Sequence, residues 1–335
     1  MAKIRVFNFF DSFAIKKMSS LIKEDATLFS KRSLVMFPIF LLHRACPLLW
    51  KFLPEAYVGL ENKKITGLIS LKPNKGNWRK WKISRLFLNE NAHFLGRQLV
   101  DYVISTYGAK GVDTFIVNVD SEQNEVLELF AKGCGFKFCS FEQLWLMKSI
   151  RVNGVLPENI NIRFFKNSDK KEVCNIYNDG IYAQFRNSLC KSPNEFYEAL
   201  LKCFEKNTSY KYVVEDKITG KISGLITIKT SDNFNYIIEL TLSSGYDFFN
   251  ELITFASLQI SKRQKNFRLF IINKKYKQNS TLFENYLNEN DFELKQNQAV
   301  LVKDYFKRIY NTEKNLADTI FFTNIKGKPA FKTIE

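Results

Sequence analysis

The octapeptide ITGLISLK at residues 65–72 returns as ISGLITIK at 222–229, the same at every position once Thr/Ser and Leu/Ile are taken as equivalent. The copies begin 157 residues apart in a chain of 335. One strand written twice, about half a chain apart, predicts two domains of similar build, each large enough to enclose its own core.

The surroundings of the two copies repeat as well. KIRVFNFF reads as a strand, and DSFAIKKMSSLIKED as a helix capped by Asp11 with apolar residues at helical spacing. AYVGLENKKITGLISLK reads as a hairpin turning at 61–64, and WRKWKISRLFL as a further strand. A helix over about 92–107, the strand TFIVNV and a helix over about 122–133 follow, the last ended by Gly133 and Gly135. FKFCSFEQLWLMK then closes the half, as a predicted strand pair. After RVNGVLPENI, whose Gly154 and Pro157 mark a linker, the order restarts with NIRFFKNSDKKEVCNIYNDG. The second hairpin turns through 216–220, and IIELTL sets Leu240 and Leu242 opposite Leu86 and Leu88. LFIINKKYKQNSTLFENYLNENDF aligns Asn273 with Asn118, Gln278 with Gln123 and Asn279 with Asn124, and AVLVK matches LWLMK. The expected domains are 1–152 and 160–310, with a tail at 311–335 that shows no readable chemistry. Mixed strands and helices, antiparallel early and with a βαβ crossing later, predict an α/β (mixed α+β) class.

Composition narrows the chemistry. The two histidines, His43 and His93, make a histidine metal site or a Ser-His-Asp triad an unexpected solution, while carboxylate ligands stay open. The six cysteines form no C-x-x-C pair and no secretory pattern is seen, so reduced thiols in a cytoplasmic protein are expected. Net charge is +16, and residues 63–89 hold eight basic side chains and no acid. That run is either a solvated lysine face or an attractor for a phosphorylated cofactor, an acidic substrate or RNA. The stretch 34–54, LVMFPIFLLHRACPLLWKFLP, is broken by Pro38 and is far too short to span a membrane. It reads as a buried helix pair or a cover over a cleft, docked where the two domains meet, with a membrane-surface helix or an apolar substrate wall as the alternatives.

Two runs in the first half resemble the GNAT superfamily of N-acetyltransferases. RLFLNENAHFLGRQLVDYVI is similar to that family's strand, pyrophosphate loop and following helix. VNVDSEQNEVLELFAKGCGFKF is similar to its second cofactor-contacting segment, an asparagine (Asn124) followed twelve residues later by the phenylalanine of a Gly-Phe pair (Gly135-Phe136). The resemblance implies tandem folds, each a mixed, mostly antiparallel twisted sheet flanked by helices. It also implies acetyl-CoA as co-substrate and an amine as acceptor. The implied cofactor-binding residues are Leu86, Leu88, Asn91, Ala92, Leu95, Gly96, Arg97 and Asn124. Backbone amides at a helix N-terminus suit a diphosphate, and glycine lets the main chain approach it. Here Asn91 stands for the family's Arg or Gln, and Phe94 for its first glycine.

Transfer requires a neutral amine to attack the thioester and the departing thiolate to gain a proton, with proximity supplying much of the acceleration. The family's frequent acid, a tyrosine seven residues after the asparagine, is Ala131 here, and the fourth strand carries Arg85 rather than a carboxylate. Glu90 and Glu142 are near in sequence but match no family position, and Cys134 reads as a small buried residue. In the second copy Phe249 falls where Gly96 sits and Asp247 adds negative charge. Glu239 nonetheless stands opposite Arg85, and Tyr286 lies seven residues after Asn279. The expectation is an acyl-CoA-dependent N-acyltransferase whose first domain binds acetyl-CoA, with the second as support or acceptor platform. A non-catalytic GNAT-fold binding module is the alternative. A nucleic-acid-associated protein ranks lower, since no RNA-binding motif is present.

Overall fold

The structure, a computed structural model, describes residues 3–8, 11, 15, 55–62, 64–74, 76–89, 93–149, 160–197 and 208–305. The apolar stretch 34–54, the loop residues Glu90, Asn91 and Ala92, and the tail lie outside them. The first half runs β1 (Lys3–Val6), β2 (Glu55–Glu61), β3 (Lys64–Asn74), β4 (Asn77–Leu88), α1 (His93–Ala109), β5 (Thr114–Asp120), α2 (Asn124–Glu128) and β6 (Lys137–Met147). The second runs β7 (Ile160–Phe164), α3 (Lys170–Asp179), β8 (Thr208–Asp216), β9 (Ile222–Thr230), β10 (Asn235–Leu242), α4 (Phe249–Ser261), β11 (Arg268–Lys274), α5 (Ser280–Glu289) and β12 (Phe292–Asp304).

Each half opens on the same device. Arg5 clamps Asp11 through both guanidinium nitrogens (2.6 and 2.7 Å), and the Asn8 amide donates to the same carboxylate at 2.7 Å. Arg163 clamps Asp169 at 2.8 and 3.2 Å, with the Lys166 amide at 2.8 Å. A bidentate, charge-assisted pair that also takes an amide fixes the turn out of the opening strand. The duplicated octapeptides occupy β3 and β9, and each holds a glycine against a close neighbour. A Cβ on Gly67 would lie 2.9 Å from Leu99 and 3.0 Å from Leu95 of α1 and 3.3 Å from Leu88, and one on Gly224 would lie 2.6 Å from Leu242. Gly67 pairs in register with Leu88 and Gly224 with Leu242, the equivalent leucines at the end of the fourth strand. A side chain would crowd α1 and the fourth strand in the first copy and the fourth strand in the second.

The twelve strands among the described residues form one sheet, in the order β1-β2-β3-β4-β5-β12-β6-β11-β10-β9-β8-β7. The order is palindromic under exchange of the copies, with the pseudo-dyad between β12 and β6. Only β4–β5 and β10–β11 are parallel among its pairs. FKFCSFEQLWLMK is not a strand pair, as expected from sequence, but one eleven-residue strand. No Gly, Pro or Asn interrupts Lys137–Met147, so nothing turns the chain. Nor does it finish its own half. β6 pairs with β11 and β12, and β12 pairs with β5 and β6, so the copies have traded their last strands. Trp145 of β6 accordingly sits in the second half's core, while Ala299 and Leu301 of β12 sit in the first's.

The trade is stitched by an amide pair related by the pseudo-dyad. Buried Asn273 donates to Gln143 Oε1 and Ser280 O, both at 3.1 Å, and Asn118 donates to Gln298 Oε1 at 3.4 Å. Asn273→Ala is expected to cost about 1 kcal/mol in chemical denaturation, because it removes two buried hydrogen bonds while Trp145 still donates to Gln143 Oε1. A midpoint equal to the parent's would show that these amides carry no stability.

Candidate functional site

The fourth and fifth strands of the first half part company early. Their parallel pairing runs only from Lys80↔Thr114 to Ile83↔Val117. At that point β4 bulges: Ser70 faces Arg85 while Leu71 faces Ile83, leaving Ser84 as the extra residue. Ser84 turns back onto β3, its Oγ lying 2.9 Å from Ser70 Oγ. A bulge bends the strand and re-aims the residues beyond it. From Ser84 to Leu88 the β5 side of β4 therefore faces an opening, not a strand. α1 starts just beyond this edge, with no acid in its first turn. The first amides of a helix have no acceptor within it and carry the positive end of its dipole. Phe94, which stands where a glycine was expected, is 71% exposed, so its ring lies in solvent.

The second half has the same splay without the same opening. β10–β11 pairing ends at Glu239↔Ile272, but β9–β10 pairing runs from Tyr236 to Leu242 without a bulge. Phe249, at the start of α4, is buried with its ring 4.7 Å from Phe283 and 5.6 Å from Tyr286. Asp247 is exposed beside it. Tyr286 lies 3.2 Å from Asn250 Oδ1, its hydroxyl donating there.

The face of the sheet carrying Lys82 and Asn118 gathers charge from both halves. Glu142 on β6 accepts from Asn118 at 2.7 Å and from the Tyr276 hydroxyl at 2.9 Å. Burial opposes its ionisation, yet Lys274 and Lys82 hold its carboxyl below the ordinary value. Glu239 accepts from Lys274 at 2.5 Å and Lys229 at 3.1 Å. Burial would raise it, but those two lysines hold it well below the usual carboxylate range. Glu239 and Glu142 are thus ionised and occupied, which removes both as ready bases. Lys277 donates to the Tyr177 carbonyl from above that ring, and burial, then Lys274 and Lys191, push its amine down to about 6. Sequence reading passed over Lys274, Tyr276 and Lys277; their run KKYK looks like solvated surface.

Among solved structures, a tandem GNAT protein from the clavulanic acid biosynthesis pathway, without AcCoA, superimposes with a TM-score of 0.58. It is 11% identical, with 91% of this chain and 98% of that one covered. A GCN5-related N-acetyltransferase from Sphaerobacter thermophilus gives 0.59 at 9% identity, covering 90% and 95%. This chain has the tandem GNAT fold. No family model and no curated protein matches its sequence.

Within that GNAT fold the expected cofactor residues divide by environment. Leu86 and Leu88 pack partly buried against the first half's core at the splayed end of β4. Leu95 is buried in α1, while Arg97 is exposed and pairs with Asp101 at 3.7 Å. Asn124 is exposed at the start of α2. Gly96 faces inward: an added Cβ would lie 2.7 Å from Leu88 and 2.9 Å from Leu129. Its smallness serves helix-to-strand packing, so a bulky replacement there would disturb the fold itself. Cys134 is buried and its thiol pushed up to about 11 by burial, the condition of an inert core cysteine. Among the described residues no cluster suits a metal ion, and no helix is long and apolar enough to cross a membrane.

Proposed function

We propose that the chain is an acyl-CoA-dependent N-acyltransferase that takes acetyl-CoA in its first half and transfers the acetyl group directly to an amine. The observation that carries this reading is the asymmetry of the two splays. Only the first combines a bulged fourth strand, an open strand edge and an uncrowded, acid-free helix start. The second has an unbulged fourth strand and an exposed acid, Asp247, just before α4. The open edge offers backbone groups to an extended amide-bearing chain, and the α1 amides suit the diphosphate at its end. Leu86, Leu88, Leu95, Gly96, Arg97 and Asn124, with Asn91 and Ala92 of the connecting loop, are the residues assigned to that binding. The thioester supplies the activated acyl group when bound. The second half, having traded strands with the first, serves as support and acceptor platform. Since Glu142 and Glu239 are occupied, the rate rests on holding amine and thioester together.

Calorimetry of the full chain against acetyl-CoA is expected to show one saturable site. Phe94→Asp places a carboxylate at the α1 start, as Asp247 does in the second copy. It is expected to weaken that binding by about tenfold or more through repulsion of the diphosphate. Melting should be unchanged, because Phe94 is exposed and an acid suits a helix start. Tight binding retained by this variant would sink the assignment.

A further inference from the structure

A groove of about 650 Å³ opens beside the start of β6, within the range of about 300–1,000 Å³ usual for small-molecule sites. It runs between β6, which contributes Phe138, Cys139 and Phe141, and the segment after α3, which contributes Tyr182 and Phe185. Lys275 also lines it, its amine held by Glu284. Phe138 stays 55% exposed although its ring lies 5.0 Å from that of Phe141. Aromatic rings left in water along a concave surface are what a small-molecule site presents. The fold does not ask for them. In the alignment of LWLMK with AVLVK, Phe138 and Phe141 correspond to Glu293 and Gln296 of β12, and Glu293 forms a surface pair with Lys295 at 2.5 Å. A feature that closed the sheet would be needed in both copies, and this one belongs to β6 alone.

The position of the groove ties it to the open splay. Cys139 and Phe185 pack with Ile116 and Val300 in one cluster, so the groove shares the face of the sheet that carries Asn118. Ser140 pairs with Val300, and Val300 with Asn118, the first β5 residue beyond the last β4–β5 pair. Two strand steps, about 10 Å, therefore separate the groove from the mouth of the splay. Glu142, one residue past Phe141, accepts from Asn118 at 2.7 Å and puts a carboxylate on that path for an arriving ammonium. α1 packs on the opposite face with Val117 and Val119, and the diphosphate is assigned to its start. The groove's face is the one left for the acceptor.

We propose that this groove holds the apolar end of the amine acceptor, an aromatic ring or a short hydrocarbon, with the amine carried on an alkyl arm toward Asn118. The proposal rests on the acyltransfer reading and deepens it: the acceptor is an amine bearing an apolar ring or chain, not a polyamine or an amino sugar. A small molecule suits the groove better than a strand of another chain. Phe141 O already accepts from the Lys275 amide at 2.9 Å, and β11 pairs with β6 only from Glu142 onward. Among the described residues this leaves Lys137–Ser140 unpaired on that side, short for strand addition against a usual strand of about five or six residues.

The test uses the full chain and two amines with the same four-carbon arm, 4-phenylbutylamine and putrescine, each titrated by calorimetry without acetyl-CoA. Saturable binding of the first and none of the second is expected. Phe138→Ser should weaken that binding about tenfold, as loss of an apolar ring contact does, while Phe138→Leu should keep most of it. Ala183→Trp fills the groove from an exposed position on its other side and should abolish binding. All three variants should melt close to the parent, because both positions are exposed. Equal binding of the two amines, or binding indifferent to Phe138→Ser and Ala183→Trp, would overturn the proposal. So would binding of a blocked Thr-Val hexapeptide in place of the phenyl amine, which would mark an edge for strand addition. If acetyl-CoA binds while 4-phenylbutylamine does not, the groove proposal alone fails. If 4-phenylbutylamine binds through Phe138 while acetyl-CoA does not bind, the acyltransfer reading fails and the groove stands as a site for apolar amines.

Discussion

Glu239→Ala is expected to cost about 3 kcal/mol of folding stability at neutral pH, the lower end of the range for breaking a buried pair. Glu239 is buried and takes Lys274 at 2.5 Å and Lys229 at 3.1 Å. Removing it leaves Lys274, whose side chain is 13% exposed, without its carboxylate. Two features limit the loss. Lys229 is 43% exposed and can swing to water, and Glu142 still bears on Lys274. The pH dependence gives a second readout. The folded-state value of Glu239 lies well below its ordinary 4.5, so its contribution is fully present above about 4.5 and is lost as pH falls through the folded value. The gap between parent and variant should therefore be constant from neutral pH down to about 5 and close in acid. Urea midpoints across pH would check this. A gap that persists undiminished well below pH 4 would mean that the loss comes from packing rather than charge.

Much of this was legible in the chain because repeats constrain each other. The hairpins, the fourth strands and the Asn118/Asn273 alignment each appear twice, and two weak local patterns that agree outweigh either alone. Gly67 and Gly224 give part of the physical reason the octapeptide recurs: in each copy a leucine side chain closes to 3.0 Å or less of where a Cβ would sit. The partner of FKFCSFEQLWLMK was not legible. Its alternation fixes which side chains share a face, but nothing local tells β6 from β12, since the equivalent strands carry equivalent residues. Pairing between them is settled by tertiary contacts such as Asn273 with Gln143. Lys82 and Arg79 belong to one basic run, yet Arg79 is a surface partner of Asp113 at 2.8 Å while Lys82 is half-buried, a difference that period-two alternation suggests. Gly96 was legible as a special position, but its packing was not, because sequence shows the missing side chain and not the Leu88 and Leu129 atoms that close on it.

Cut after residue 152 and produced separately, the two halves are expected not to fold, whereas produced together they should form one tight complex. The domains proposed from sequence, 1–152 and 160–310, describe the repeat along the chain, but the pairing does not respect them. In the first fragment β6 would lose every strand it pairs with, since β11 and β12 both belong to the second. β5 would expose the edge Thr114–Asp120 that β12 covers, and the core would lose Ala299 and Leu301. The second fragment would carry the mirror defect, with β12 unpaired, β11 open on one side and Trp145 missing from its core. Unpaired apolar edges of that length favour aggregation over folding. Mixing restores both pairings at once, so the complex should recover the acetyl-CoA binding proposed for the intact chain, while neither fragment shows it alone. For the same reason the intact chain should melt in one cooperative transition by calorimetry. Two independent transitions, or a soluble first fragment that binds acetyl-CoA unaided, would mean that the traded strands are replaceable and that each copy can close its own sheet.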